Sequence, residues 1–325
     1  MPGMSIIAAL AEGFRRMRRA PRLTLGLWLV SLVAALPAGV AMGAILRSAI
    51  GASLTADSMR RGFDMEWFWR FNEGAGGIAT AFGPDIVGAG AFYNNLESWI
   101  TGGLFGLFPG LVALGVLYGL LWAFLMGGVI ERLTSPWERT PLADFVQSGG
   151  RHFARFVRLA ILTAIPYVLI HLASRWFYGK LTFLTRDVTS ERTIFVLSLL
   201  VLGATALLMV IVQIAADYAR IATVLEGRRS MLLALAHGVR FVLSRPGAVL
   251  GIYAGVGLAG LMLLALYAWL APGAGQSTWA GVLLAFVAGQ IFLCARVAVR
   301  VTRLGSEVAF YQAAAPERRV APAAR

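Results

Sequence analysis

The chain has 325 residues, of which 58% are hydrophobic and only 14% charged, and it carries a formal net charge of +13. Soluble domains run at about 45–50% apolar and about 25% charged, so the composition excludes an ordinary soluble globular protein. Cys294 is the only cysteine, which excludes an internal disulfide and a cysteine-based metal cluster.

The N-terminal segment, residues 1–22, places Ile6, Ile7, Leu10, Phe14 and Met17 at helical spacing and adds Arg15, Arg16, Arg18, Arg19 and Arg22. That pattern predicts an amphipathic helix lying in the membrane interface. It runs directly into the first of six long, mostly apolar stretches, at about 23–46, 99–130, 159–178, 193–216, 247–271 and 278–296. A membrane-crossing helix needs about 20 mostly apolar residues. The apolar residues are continuous rather than alternating, so the stretches read as helices and not as barrel strands. The expected fold is an all-α polytopic helical membrane protein with six transmembrane helices in three hairpins, joined by interfacial amphipathic helices. Residues 1–312 form one domain, and 313–325, rich in Ala, Pro and Arg, form a disordered tail. Ala41-Met42-Gly43-Ala44 offers a signal-peptide cleavage context, but the long helix ahead of the first span favours an uncleaved transmembrane helix.

Between spans one and two, the loop 47–98 holds Phe63, Trp67, Phe68, Trp69 and Phe71 among Asp64, Glu66, Arg70 and Glu73. Aromatic residues collect at membrane–water boundaries, so this segment predicts a short surface helix, with a lid over the bundle as the sharper alternative. Small residues recur at four-residue spacing, as at Gly39 and Gly43, Gly115 and Gly119, and Gly247, Gly251 and Gly255. Such spacing lets helix backbones approach closely in lipid, within one chain or between two copies.

Three copies of one pattern punctuate the chain. Gly13-Phe14-Arg15 leads through Pro21 into span one, Gly149-Gly150-Arg151 through Arg158 into span three, and Gly238-Val239-Arg240 through Arg245-Pro246 into span five. Each predicts an interfacial elbow, and Arg15, Arg16, Arg18, Arg19, Arg151, Arg155, Arg240 and Arg245 are its expected contacts with anionic lipid. The elbows fall on one side of the six spans. That side, with residues 1–22, 131–158, 217–246 and 296–325, carries 21 of the 29 Lys and Arg and eight acidic residues, so the whole +13 excess lies there. Excess Lys and Arg mark the cytoplasmic side, which predicts a bacterial inner-membrane protein with both termini in the cytoplasm. Lys180 is the only lysine, a usage expected of a GC-rich bacterial genome. No basic segment stands free of the bilayer, so nucleic acid is not an expected partner.

Polar groups inside spans are costly and often functional. Gln213 and Asp217 end span four, Gln290 lies within span six, and Arg296 and Arg300 follow it, with Arg303 on the same face. These residues make a candidate polar site in the bundle, with Asp217 free to pair with Arg220, Arg296 or Arg300. Prolines at 37, 109 and 166 fall within spans and predict local kinks. No HExxH pair, phosphate-binding glycine loop or G-x-S-x-G motif is present. No catalytic residue, cofactor or metal is therefore assigned.

Gly127-Gly128-Val129-Ile130-Glu131-Arg132 is followed by Phe145, Gly149 and Arg151-His152-Phe153-Ala154-Arg155-Phe156. Asp217-Tyr218-Ala219-Arg220 is followed by Glu226-Gly227-Arg228-Arg229-Ser230, Arg240-Phe241 and Arg245-Pro246. These segments resemble a group of six-span bacterial membrane proteins with no assigned reaction. They are also similar in layout to the membrane domain that precedes some glycerophosphodiester phosphodiesterases, without that enzyme's catalytic domain. The resemblance implies an inner-membrane protein and carries no activity with it. The expectation is a non-enzymatic scaffold, accessory or envelope factor that engages membrane lipids, a partner membrane protein or a second copy of itself. The alternative is a transporter or lipid-handling permease with a polar pathway through the bundle.

Overall fold

A computed structural model describes residues 4–51, 62–83, 109–135, 141–186, 190–271 and 278–314, with a few isolated positions between them. The described residues form nine α-helices and no strand: α1 (Ile6–Arg18), α2 (Pro21–Ile50), α3 (Met65–Gly74), α4 (Pro109–Thr134), α5 (Leu142–Leu184), α6 (Glu191–Glu226), α7 (Met231–Ser244), α8 (Pro246–Leu270) and α9 (Trp279–Ala314). Six of them, α2, α4, α5, α6, α8 and α9, are long and apolar enough to cross a membrane. The tail 315–325 and the first part of span two, 99–108, lie outside the described residues.

Local chemistry sets the helix boundaries. Ser5 caps α1 by accepting from the Ala8 N–H at 3.2 Å, and Asp64 caps α3 by accepting from the Trp67 N–H at 3.0 Å. Pro21 and Pro246 occupy the first turns of α2 and α8, where a missing N–H costs nothing. They separate the first and third elbows from the spans that follow. The middle elbow has Val157 at the corresponding place, and here the expectation of a bend fails. α5 runs unbroken for 43 residues, about 65 Å at 1.5 Å per residue, so elbow and span are one rod. α6 and α9 also continue well past their apolar stretches, to Glu226 and Ala314. Pro37 and Pro166 are accommodated inside α2 and α5, while Pro109 is the first described residue of α4.

The elbow glycines share one task. A Cβ on Gly13 would lie 2.5 Å from the Thr302 carbonyl oxygen of α9, and one on Gly149 would lie 2.9 Å from the Phe124 carbonyl oxygen of α4. A Cβ on Gly238 would strike the Ala215 carbonyl oxygen of α6 and lie 3.1 Å from the Ala219 nitrogen. Each elbow thus presses its backbone against the end of a long helix, and only glycine permits that approach. The second and third elbows dock on the helix that precedes them in the chain. The first docks instead on α9, which joins the first unit to the third.

The packed core lies at the elbow end of the bundle. Val129, Ile130 and Leu133 of α4, Phe156 and Leu159 of α5, Tyr218, Ile221 and Ala222 of α6, and Leu304 and Val308 of α9 are fully buried there. Toward the other end, residues such as Val33, Leu117, Leu169, Leu200, Met262 and Leu284 stay exposed, as lipid-facing surfaces do. The four-residue glycine series divide accordingly. Gly251 and Gly255 receive Ile6 and Leu10 of α1, whereas Gly39, Gly43, Gly115 and Gly119 meet open space among the described residues. At that far end α3 stacks Trp67 on Phe71 at 4.9 Å and gathers Phe63, Phe68 and Phe82 around them. The aromatic run of the loop therefore folds on itself, with Trp69 left outward at 59% exposure.

Candidate functional site: a buried charge cluster at the elbow end

Asp217 lies where α6, α8 and α9 converge, and its side chain is 1% exposed. An unpaired carboxylate there would be prohibitively costly, and its partners come from its own helix and from α9. Gln213, one turn before it, donates its amide to both carboxylate oxygens at 3.1 Å. Arg220, three residues on, donates to one of them, and Arg303 of α9 sits 3.2 Å from the other. Arg303 also donates to the Tyr253 hydroxyl of α8 at 2.8 Å. Tyr167 of α5 donates to the Gln213 side-chain oxygen at 3.3 Å. Four long helices are thereby tied to one carboxylate.

Glu307 is buried beside this cluster. One of its oxygens lies 3.9 Å from Arg303, and neither accepts a hydrogen bond among the described residues. Buried ion pairs of this kind add little net stability, yet removing one partner strands the other and costs about 3–5 kcal/mol.

The structure redraws the sequence-derived site. Gln213 and Asp217 are brought together as expected, but the arginine that crosses from α9 is Arg303, not Arg296 or Arg300. The reason is the length of α9, which carries residues 303–307 alongside residue 217. Arg296 stays exposed with its guanidinium 5.8 Å from the Phe292 ring centre. Arg300 also stays exposed and stacks 3.6 Å over Trp122 of α4. Gln290 joins no member of the cluster, and its side-chain oxygen is buried without a partner among the described residues. Sequence reasoning missed Glu307, Tyr253 and Tyr167. Glu307 was readable as an i,i+4 partner of Arg303, while the two tyrosines join through tertiary packing and leave no local signal.

Two further polar assemblies brace the same end. Arg228 donates to Glu226 at 2.7 Å and lies 3.2 Å from His237 Nδ1. His237 Nε2 is 2.9 Å from the Tyr311 hydroxyl, which donates back to Glu226. Because Arg228 can only donate, Nδ1 accepts and the ring is the neutral Nε2–H tautomer. Burial in α7, seconded by the charge of Arg228, holds His237 below the usual histidine range. This closed circle joins α6, α7 and α9.

Arg16 forms the second assembly. It was grouped with the lipid-facing arginines, but it is turned inward at 9% exposure. It binds Glu12 at 3.0 Å and donates to the Leu133 carbonyl at 2.7 Å and to Gln312 at 3.0 Å. It thus caps the end of α4 from α1, satisfying a carbonyl the helix itself leaves open. Arg15, Arg18, Arg19, Arg151, Arg240 and Arg245 are exposed, and Arg155 is half-buried. Arg245 lies over Phe241 at 5.1 Å and donates to the Ala314 carbonyl at 3.4 Å.

Fold and cluster together define a multi-pass helical membrane protein whose polar groups are concentrated at one end of the bundle. Set against protein-family models, curated proteins and solved structures, the chain matches none.

Proposed function

We propose that this chain is a non-enzymatic bacterial inner-membrane scaffold whose three elbows sit in the cytoplasmic leaflet and hold anionic phospholipid, with both termini in the cytoplasm. One observation carries the reading: every elbow presents exposed apolar side chains beside exposed arginines. α1 offers Ile7 at 80% exposure with Phe14, Arg15 and Arg18; the start of α5 offers Leu142 at 77% with Val146 and Arg151; α7 offers Leu232, Leu233 and Leu243 with Arg240. Apolar area that inserts and cations that meet headgroups are what an in-plane membrane helix needs, as α1 and α7 would be, while the start of α5 carries the same groups on the end of its span. The charge excess on the same side supports the orientation.

The Asp217 cluster supports a scaffold over a transport pathway. Its carboxylate is closed off by protein donors, and it holds helices together rather than lining a route. The accessory role also fits the resemblance to six-span bacterial proteins with no assigned reaction.

The test is a triple variant, Arg15→Gln, Arg18→Gln and Arg19→Gln, that spares the structural Arg16. Purified protein should retain less phosphatidylglycerol by native mass spectrometry, with wild-type helicity. Unchanged lipid retention would sink the proposal. Labelling of single cysteines placed at residues 5 and 312 in a Cys294→Ser background, in right-side-out vesicles, checks the orientation, and rapid labelling from outside would reverse it.

A further inference from the structure

Arg300 and Trp122 stand apart from the satisfied polar groups around them. The Arg300 guanidinium carbon lies over the Trp122 ring, 3.6 Å from its centre, and Arg300 forms no ion pair among the described residues. Asp217, the hydrogen-bonded carboxylate of the adjoining cluster, is already taken up by Gln213, Arg220 and Arg303. Trp122 is 8% exposed, and its indole N–H is buried with no acceptor among the described residues. Buried N–H groups almost always find a partner. Among the described residues, an indole N–H without an acceptor and a guanidinium without an ion pair thus meet in one stack.

The surroundings have the same sign. Arg296 lies one turn from Arg300 on the same face of α9, and it too is without an ion pair among the described residues. Tyr118, one turn along α4, sets its ring edgewise to Trp122 at 6.1 Å. The site therefore presents donors and positive charge, with no ion pair and no acceptor for the indole N–H among the described residues. Arg300 also falls one turn past the apolar stretch 278–296, where snorkelling arginines reach headgroup depth.

We infer that Arg300 and Trp122, flanked by Arg296, form a phosphate-binding site between α4 and α9. The fork of Arg300 suits two phosphate oxygens at once, and the indole N–H supplies a third donor from the side. The phosphate could come from a phospholipid headgroup entering sideways or from free phosphate. This site is independent of the elbows and does not require the scaffold reading to hold.

The test uses the full chain in neutral detergent with three probes: phosphatidylglycerol, phosphatidylcholine and inorganic phosphate. Binding is read as a thermal shift and by native mass spectrometry, for wild type, Arg300→Gln, Trp122→Phe and the Arg15, Arg18 and Arg19 triple variant. Losing a charge-assisted hydrogen bond weakens binding by about tenfold or more, the drop expected for Arg300→Gln. Trp122→Phe keeps the ring and removes only the N–H, so it should fold as wild type and bind several-fold more weakly. The elbow triple variant should keep this site.

A response to inorganic phosphate alone supports the site and identifies a free anion as its ligand. A response to the phospholipids with none to phosphate supports it and identifies a headgroup. Equal binding by wild type and Trp122→Phe overturns it, as does no response to any probe. Loss of all binding in the elbow triple variant overturns it as well, because the lipid then belongs to the elbows. If Arg300→Gln fails to fold, the Trp122→Phe comparison decides.

Discussion

Replacing Gly13 by alanine tests how the first elbow is docked on α9. The added Cβ would lie 2.5 Å from the Thr302 carbonyl oxygen and 2.6 Å from the Ser306 nitrogen, both backbone atoms of α9. A side-chain rotation cannot relieve either contact. Ordinary packing begins near 3.4 Å, so α1 must lift by about 0.9 Å along that line. A gap of about 0.5–1 Å forfeits a quarter to a half of each dispersion contact. Those contacts include Ile6 on Gly251 and Leu10 on Gly255. Overpacking of this kind costs about 1–3 kcal/mol. The lift also pulls Arg16 away from the Leu133 carbonyl, now 2.7 Å from it. Thermal unfolding in detergent should show a lower midpoint, and trypsin should cut faster within 15–19. Gly150→Ala is the matched control, since a Cβ there meets open space and alanine favours the helix by about 1 kcal/mol. Equal melting and equal cleavage of the two variants would refute the docking argument.

Asp217→Asn keeps the shape of the side chain but leaves Arg220 and Arg303 facing a neutral group. We expect a loss of about 3–5 kcal/mol, read as a lower thermal midpoint, and adding Arg303→Met should recover part of it because the two residues share one network. Arg16→Gln removes charged hydrogen bonds to Leu133 and Gln312 and should cost about 1.5–3 kcal/mol, whereas Arg15→Gln, at an exposed site, should leave the melt nearly unchanged. His237 is held below its ordinary value, so as pH falls through about 6.5 the unfolded chain takes up the proton first. Stability is therefore whole above that pH and declines below it, and His237→Gln should flatten the decline in midpoint between pH 7 and pH 5.

The six spans were legible because a bilayer demands long apolar runs, and that demand is written locally in residues 23–46 through 278–296. The breaks at Pro21 and Pro246 were legible for an equally local reason, since proline opens a helix and cannot continue one. Val157 carries no such instruction, and the unbroken α5 became evident only in three dimensions. The partner of Asp217 shows the same divide. Gln213 and Arg220 follow from helical periodicity, while Arg303 depends on how far α9 runs and which face it turns toward α6. Arg16 could not be distinguished from Arg15 or Arg18 by composition, and only the packing of α1 on α8 and α9, which brings it beside Leu133 of α4, turned it inward.

By itself, then, the sequence determined the membrane class, the number of apolar helices and the lopsided distribution of charge. All three follow from hydropathy and period, which act within a few turns of helix. Tertiary structure alone decided that the first elbow docks on α9, that Asp217 answers to Arg303, and that Arg300 lies over Trp122, whose indole N–H has no acceptor among the described residues. Those outcomes rest on contacts between residues more than a hundred positions apart in two of the three cases and about ninety in the other, where neighbouring residue types carry no record of the partner.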